Sequence, residues 1–190
     1  GLPVQRLQLE AGHLWRKLTG RRWRAQRAAK TAFRAVLDRL GPGDVAVDLG
    51  ANISEFTAVM ADTGAQVYAF EPDPHAFALL TQTTAGRPNV TLIAAAAGIE
   101  DSTARLYRAA GFESGRDRAS KSSSLFAEKC NVDGNNVVEI RVKDFPAFLS
   151  GLNRDIALIK MDIEGGEVPL LEVLLHQPCA RRIGDIFVET

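Results

Sequence analysis

Beyond residue 44 the chain alternates short, nearly continuous apolar runs with stretches in which apolar residues recur every three or four positions. Runs of the first kind predict strands covered on both faces, and stretches of the second kind predict the helices that cover them. Val45 to Asp48 is the first expected strand and Glu55 to Thr63 the first helix. Gln66 to Phe70, Val90 to Ala94, Ile156 to Met161 and Asp185 to Glu189 are further strands, with helices at His75 to Thr84 and Val168 to Leu175. Such alternation predicts an α/β domain built on a mostly parallel sheet with helices on both faces. Two shorter strands are expected at Arg105 to Arg108 and Val137 to Val142. The polar, serine-containing stretch from Gly111 to Asn136 between them reads as a long loop, either a linker or a substrate-side lid.

The first forty residues have a different pattern. Leu7, Leu14 and Leu18, then Phe33, Val36, Leu37 and Leu40, fall at helical spacings, with a break expected at Gly20. Ten residues here are basic (Arg6, Arg16, Lys17, Arg21, Arg22, Arg24, Arg27, Lys30, Arg34, Arg39), against the acids Glu10 and Asp38. Gly41-Pro42-Gly43 ends the segment, which gives a basic helical part over 1–43 and an α/β domain over 44–190. The basic part is read as a helical cap with a solvated outer face. Its alternative is a surface for anionic partners such as nucleic acid, lipid headgroups or a phosphorylated substrate.

The chain of 190 residues carries 23 basic and 23 acidic side chains, so a nucleic-acid-binding role for the whole surface is not expected. Cys130 and Cys179 have no metal-type spacing, no apolar run is long enough for a membrane span, and a reducing cytoplasm is the default compartment. His13, His75 and His176 lack partners at triad or metal spacing, and no G-x-S-x-G elbow is present. No metal site is expected, since Asp162 and Glu164 alone are a weak magnesium set.

The stretch Val45 to Thr57, VAVDLGANISEFT, carries the most chemical information. A strand that runs through a glycine turn into a helix is where open α/β sheets bind small ligands. Asp48 at the strand tip would repel a pyrophosphate, so Gly50-Ala51-Asn52-Ile53-Ser54 is a poor dinucleotide cradle. A carboxylate there suits a cationic or hydroxyl-rich ligand, and S-adenosylmethionine is both. Glu71, at the tip of the next strand and followed by Pro72, is placed to accept the two hydroxyls of a ribose.

VAVDLGANISEFT, YAFEPDP, KSSSL, LIKMDIEGGE and IFVET, taken in order, resemble the FkbM-type S-adenosylmethionine-dependent methyltransferases. The resemblance implies a Rossmann-like class I methyltransferase sheet and methylation of a hydroxyl on a sugar or secondary metabolite. It implies that Asp48, Gly50, Asn52 and Ser54 form the cofactor loop, that Glu71 with Pro72 holds the ribose, and that Ala95 and Ala96 lie near the adenine. Asp162, Glu164 and Lys160 would face the methyl group, as base or as orienting groups. Ser54 stands where the family usually has glycine, and its Cβ is expected to crowd the ligand. A class I sheet also needs a hairpin after Glu189, so a C-terminal truncation is expected. The competing reading is a non-catalytic binding module: a degenerate methyltransferase scaffold with a basic helix that contacts nucleic acid or membrane.

Overall fold

A computed structural model describes residues 21–53, 55–109, 132–163 and 165–188. It divides into two units, residues 1–39 and residues 40–190. In the first, Arg21–Leu37 forms a 17-residue helix, α1. The rest of the expected basic segment, residues 1–20, lies outside the described residues.

The second unit is built on a five-stranded sheet whose pairings are all parallel. Its strands are β1 (Val45–Leu49), β2 (Gln66–Phe70), β3 (Val90–Ile93), β7 (Ile156–Met161) and β8 (Ile183–Val188). Their order is β3-β2-β1-β7-β8. The chain builds outward from β1 on one side and then restarts from β1 on the other. The topological switch point therefore falls between β1 and β7, at whose carboxyl ends ligands bind in open α/β sheets.

Every residue of β1 is buried, as the central strand of a sheet covered on both faces requires. Side chains alternate between those faces. Val45, Val47 and Leu49 join Phe70, Ile159 and Met161 in one cluster with Phe145 and Leu149 of helix α4 (Phe145–Leu152) and Leu170 and Leu174 of helix α5 (Glu167–Leu174). Phe70 makes edge-on contacts with the rings of Phe145 and Phe148, at centroid separations of 5.7 and 5.1 Å. Ala46 and Asp48 point to the opposite face, on the side of helix α2 (Glu55–Asp62). There Ala69 and Ala51 pack with Leu80 of helix α3 (Pro74–Thr83).

Several expectations are revised. The strands expected at 105–108 and 137–142 are longer, β5 (Ser102–Ala109) and β6 (Val132–Asp144), and they pair antiparallel. With β4 (Ala96–Gly98) they form a separate three-stranded sheet of order β4-β6-β5. The expected loop over 111–136 therefore gives way to strand at residue 132, and residues 110–131 lie outside the described ones. Helix α4 was not expected. Asp144 caps it by accepting from the Ala147 N–H at 2.8 Å, Pro146 occupies its first turn, and Asn153 ends it in the left-handed region at φ 48°. The last strand begins at Ile183, two residues before the expected start, after a short 3-10 turn over Pro178–Arg182.

Candidate active site at the strand tips

Parallel register sets the polar centre. Asp48 of β1 is the cross-strand partner of Lys160 on β7, so both side chains leave the sheet on the same face. Asp48 is fully buried, and its Oδ2 accepts a 2.7 Å bond from the Thr57 hydroxyl of α2. Its Oδ1 has no hydrogen-bond donor: the Lys160 Nζ lies 3.6 Å away, at ion-pair range but beyond a hydrogen bond. Burial pushes the Asp48 carboxyl above the ordinary range, opposed by Lys160 and Thr57.

Lys160 is itself 4% exposed. Its ammonium lies 3.6 Å from Asp162 Oδ2, 3.4 Å from the Gly50 carbonyl oxygen, to which it donates, and 4.8 Å from the centre of the Phe56 ring. It was expected to face the methyl group as a base or an orienting group, and it joins Asp162 to Asp48. The Asp162 side chain remains about one-third exposed, on the open side of this cluster.

The glycine turn is shaped by β7 as much as by any ligand. Gly50 has φ +75°, and a Cβ there would collide with the Asp162 backbone carbonyl. The N–H groups of Gly50 and Ala51 both donate to the Phe70 carbonyl, at 3.0 and 2.9 Å. Asn52, also left-handed at φ 50°, donates its N–H to Glu71 Oε2 at 2.8 Å. Three successive N–H groups of the loop are therefore used by the end of β2 and its glutamate.

Glu71 is 6% exposed, and its Oε1 accepts the Asp73 N–H at 2.8 Å. Asp73 in turn caps α3, accepting from the N–H groups of His75 and Ala76, with Pro74 in the first turn. Burial pushes the Glu71 carboxyl from 4.5 to about 7; the two backbone bonds oppose the shift, and the charges of Asp73 and Asp48 add to it. Each Glu71 oxygen keeps a lone pair beyond its backbone bond, enough to accept one further donor apiece.

At the tip of β7 a second buried carboxylate organises the loop. Glu167 Oε1 accepts the Ile163 N–H and its Oε2 the Gly165 N–H, both at 2.8 Å, with Gly165 at φ +109°. Sequence reasoning missed this role, as it missed the Thr57 bond to Asp48. An acid in an otherwise apolar buried strand signals that some nearby donor must serve it, but only the packing of α2 against β1 identifies Thr57.

The remaining candidates are dispersed. Ala95 and Ala96 are buried; Ala96 belongs to β4, opposite Val142, and packs with Leu106 and Ile140, so its methyl group is used inside the protein. Pro72 follows Glu71 in the loop that leads into α3. Ser54 and Glu164 lie outside the described residues. Among the described residues no cluster of three metal-ligating side chains occurs, and no helix is long and apolar enough to cross a membrane.

A parallel sheet with its switch point between β1 and β7, and acidic side chains on consecutive strand tips, defines a class I methyltransferase fold. The chain matches the methyltransferase FkbM domain over residues 48–190 and belongs to that family. A 55-residue segment, 29% of the chain, is 42% identical to the ribosomal RNA small subunit methyltransferase A of Moorella thermoacetica and covers 19% of that protein. A solved rRNA methylase from Streptococcus thermophilus is similar at a TM-score of 0.44 and 14% identity, over 77% of this chain and 62% of that one. The chain thus spans less than two thirds of either relative.

Proposed function

We propose that this chain binds S-adenosylmethionine at the carboxyl ends of β1 and β2 and transfers its methyl group to a hydroxyl on a small acceptor, a sugar or secondary metabolite. The observation that carries this reading is the row of carboxylates at adjacent strand tips, Glu71, Asp48 and Asp162, with the buried ammonium of Lys160 among them. Such an excess of acid favours a cationic ligand and disfavours a diphosphate. The donor supplies an electrophilic methyl on a sulfonium.

The protein's part is mostly positioning. The second lone pairs of Glu71 suit two ribose hydroxyls. Asp162, the partly exposed carboxylate of the cluster, is the group we assign to take the acceptor's proton as the new C–O bond forms and the carbon–sulfur bond breaks. Lys160 holds Asp162 in place from the buried side and keeps Asp48 in an ion pair. The family match supports the transfer class, and the choice of a hydroxyl rests on the availability of Asp162 as a base.

The test is calorimetric titration of the chain with S-adenosylmethionine and with its demethylated product. It is followed by mass spectrometry of a polyol and glycoside panel incubated with the donor. We expect binding of both nucleosides and a gain of one methyl on a hydroxyl acceptor. Absence of binding by either nucleoside would sink the proposal, and methylation only at nitrogen or carbon would sink its hydroxyl part.

A further inference from the structure

None of the residues described above comes from the basic helix α1, whose charge is all of one sign. It carries Arg21, Arg22, Arg24, Arg27, Lys30 and Arg34 and no acid. Residues 41–190 hold thirteen basic and twenty-one acidic side chains, so attraction for a polyanion is concentrated ahead of the catalytic unit. Positions 23, 27, 30 and 34 are spaced by four, three and four, and so share one face of the helix. They are Trp23, Arg27, Lys30 and Arg34, and Lys30 and Arg34 are exposed. Arg24, Arg27, Lys30 and Arg34 also follow one another at intervals of a single turn, where like charges repel and weaken a helix until a counter-charge arrives.

The opposite face selects between polyanions. Positions 21, 25, 28, 29, 32 and 36 are Arg21, Ala25, Ala28, Ala29, Ala32 and Val36. A helix that lies in a bilayer surface places Trp, Phe or Leu on the face opposite its cations. Here that face is mostly alanine, and the tryptophan position falls on the cationic stripe. An aromatic interleaved with cations is the pattern that binds unpaired bases and their phosphates together.

We propose that α1 is a docking helix for single-stranded nucleic acid, engaged through positions 23, 27, 30 and 34. Fluorescence anisotropy of a labelled RNA oligonucleotide of about 20 nucleotides, titrated with the full chain over a range of salt, tests it. The expected result is binding that weakens steeply with salt. In the triple variant Arg27→Gln, Lys30→Gln, Arg34→Gln, the slope of log affinity against log salt should fall by about 2. Trp23→Ala should weaken binding about tenfold with the slope unchanged. Arg27→Lys with Arg34→Lys should retain the slope, and helicity by circular dichroism should rise when RNA is added. RNA binding that is absent, insensitive to salt or indifferent to these substitutions overturns the proposal. Co-sedimentation with phosphatidylserine vesicles that depends on the same residues, without RNA binding, would overturn it in favour of a membrane.

Discussion

Glu71 and Glu167 are two buried glutamates with nearly the same local geometry and different uses. Each is under 10% exposed, and each accepts two backbone N–H groups at 2.8 Å, one per oxygen. Glu167 reaches back only to Ile163 and Gly165, which closes the loop after β7 onto the first turn of its own helix. Glu71 ties Asp73 to Asn52, nineteen residues away on the loop after the neighbouring strand. The local clamp is a folding device. The long-range clamp fixes two strand tips relative to each other, stands among other carboxylates and holds its proton to about pH 7. A carboxylate that bonds to backbone is therefore not by that fact structural; what distinguishes the site is which loops it joins and what other charge surrounds it.

The largest expected effect falls between these two regions, on the ammonium that links the tip of β1 to that of β7. Lys160→Met leaves Asp48 buried without a counter-charge and should lower stability by about 3–5 kcal/mol in chemical denaturation. The double variant with Asp48→Asn should recover most of that loss. A small loss in the single variant would mean that Asp48 is neutral in the folded protein.

Glu167→Ala strands two N–H groups of the β7 loop and should cost about 2–4 kcal/mol by the same measurement. Affinity for the demethylated cofactor should change far less. If affinity collapses while stability holds, the division between the two glutamates is wrong.

Glu71→Gln should do the reverse, weakening nucleoside binding about tenfold to a hundredfold in calorimetry through lost charged hydrogen bonds, with a smaller loss of stability. The smallest effect is in pH. Ribose hydroxyls and a sulfonium favour the ionised carboxylate, so binding below pH 7 should release a proton, and affinity should be about tenfold weaker at about pH 6 than at about pH 8. Glu71→Gln should flatten that dependence. Because the folded pKa is raised, the contribution of Glu71 to stability is fully present below about 4.5 and is lost as pH rises through about 7.

Much of the sheet could be read in advance, because a parallel strand covered on both sides is written as an unbroken apolar run, as in Val45 to Leu49 and Ile156 to Met161. The turn at Gly50 and the acids Asp48, Glu71 and Asp162 could be read for the same reason: each interrupts or ends such a run. Helix α4 was missed although Asp144-Phe145-Pro146 carries a cap and a first-turn proline, much as Asp73-Pro74 does ahead of α3. The run Ala94 to Ala97 has no alternation, so nothing in it marked Ala96 as strand. The partnerships of Thr57 and Glu167 depend on how α2 packs on β1 and on a left-handed glycine, which residue type alone does not specify.

The pairing of Asp48 with Lys160 also bears on how the sheet assembles. In parallel strands a slip of one residue exchanges faces along the whole strand. Slipping β7 against β1 would turn Lys160 from its two carboxylates toward the layer of Phe70, Phe145 and Leu170. Misregistered chains thus carry an unmatched charge into hydrocarbon. The ion pair therefore favours the native alignment of β7 on β1 over the slipped one.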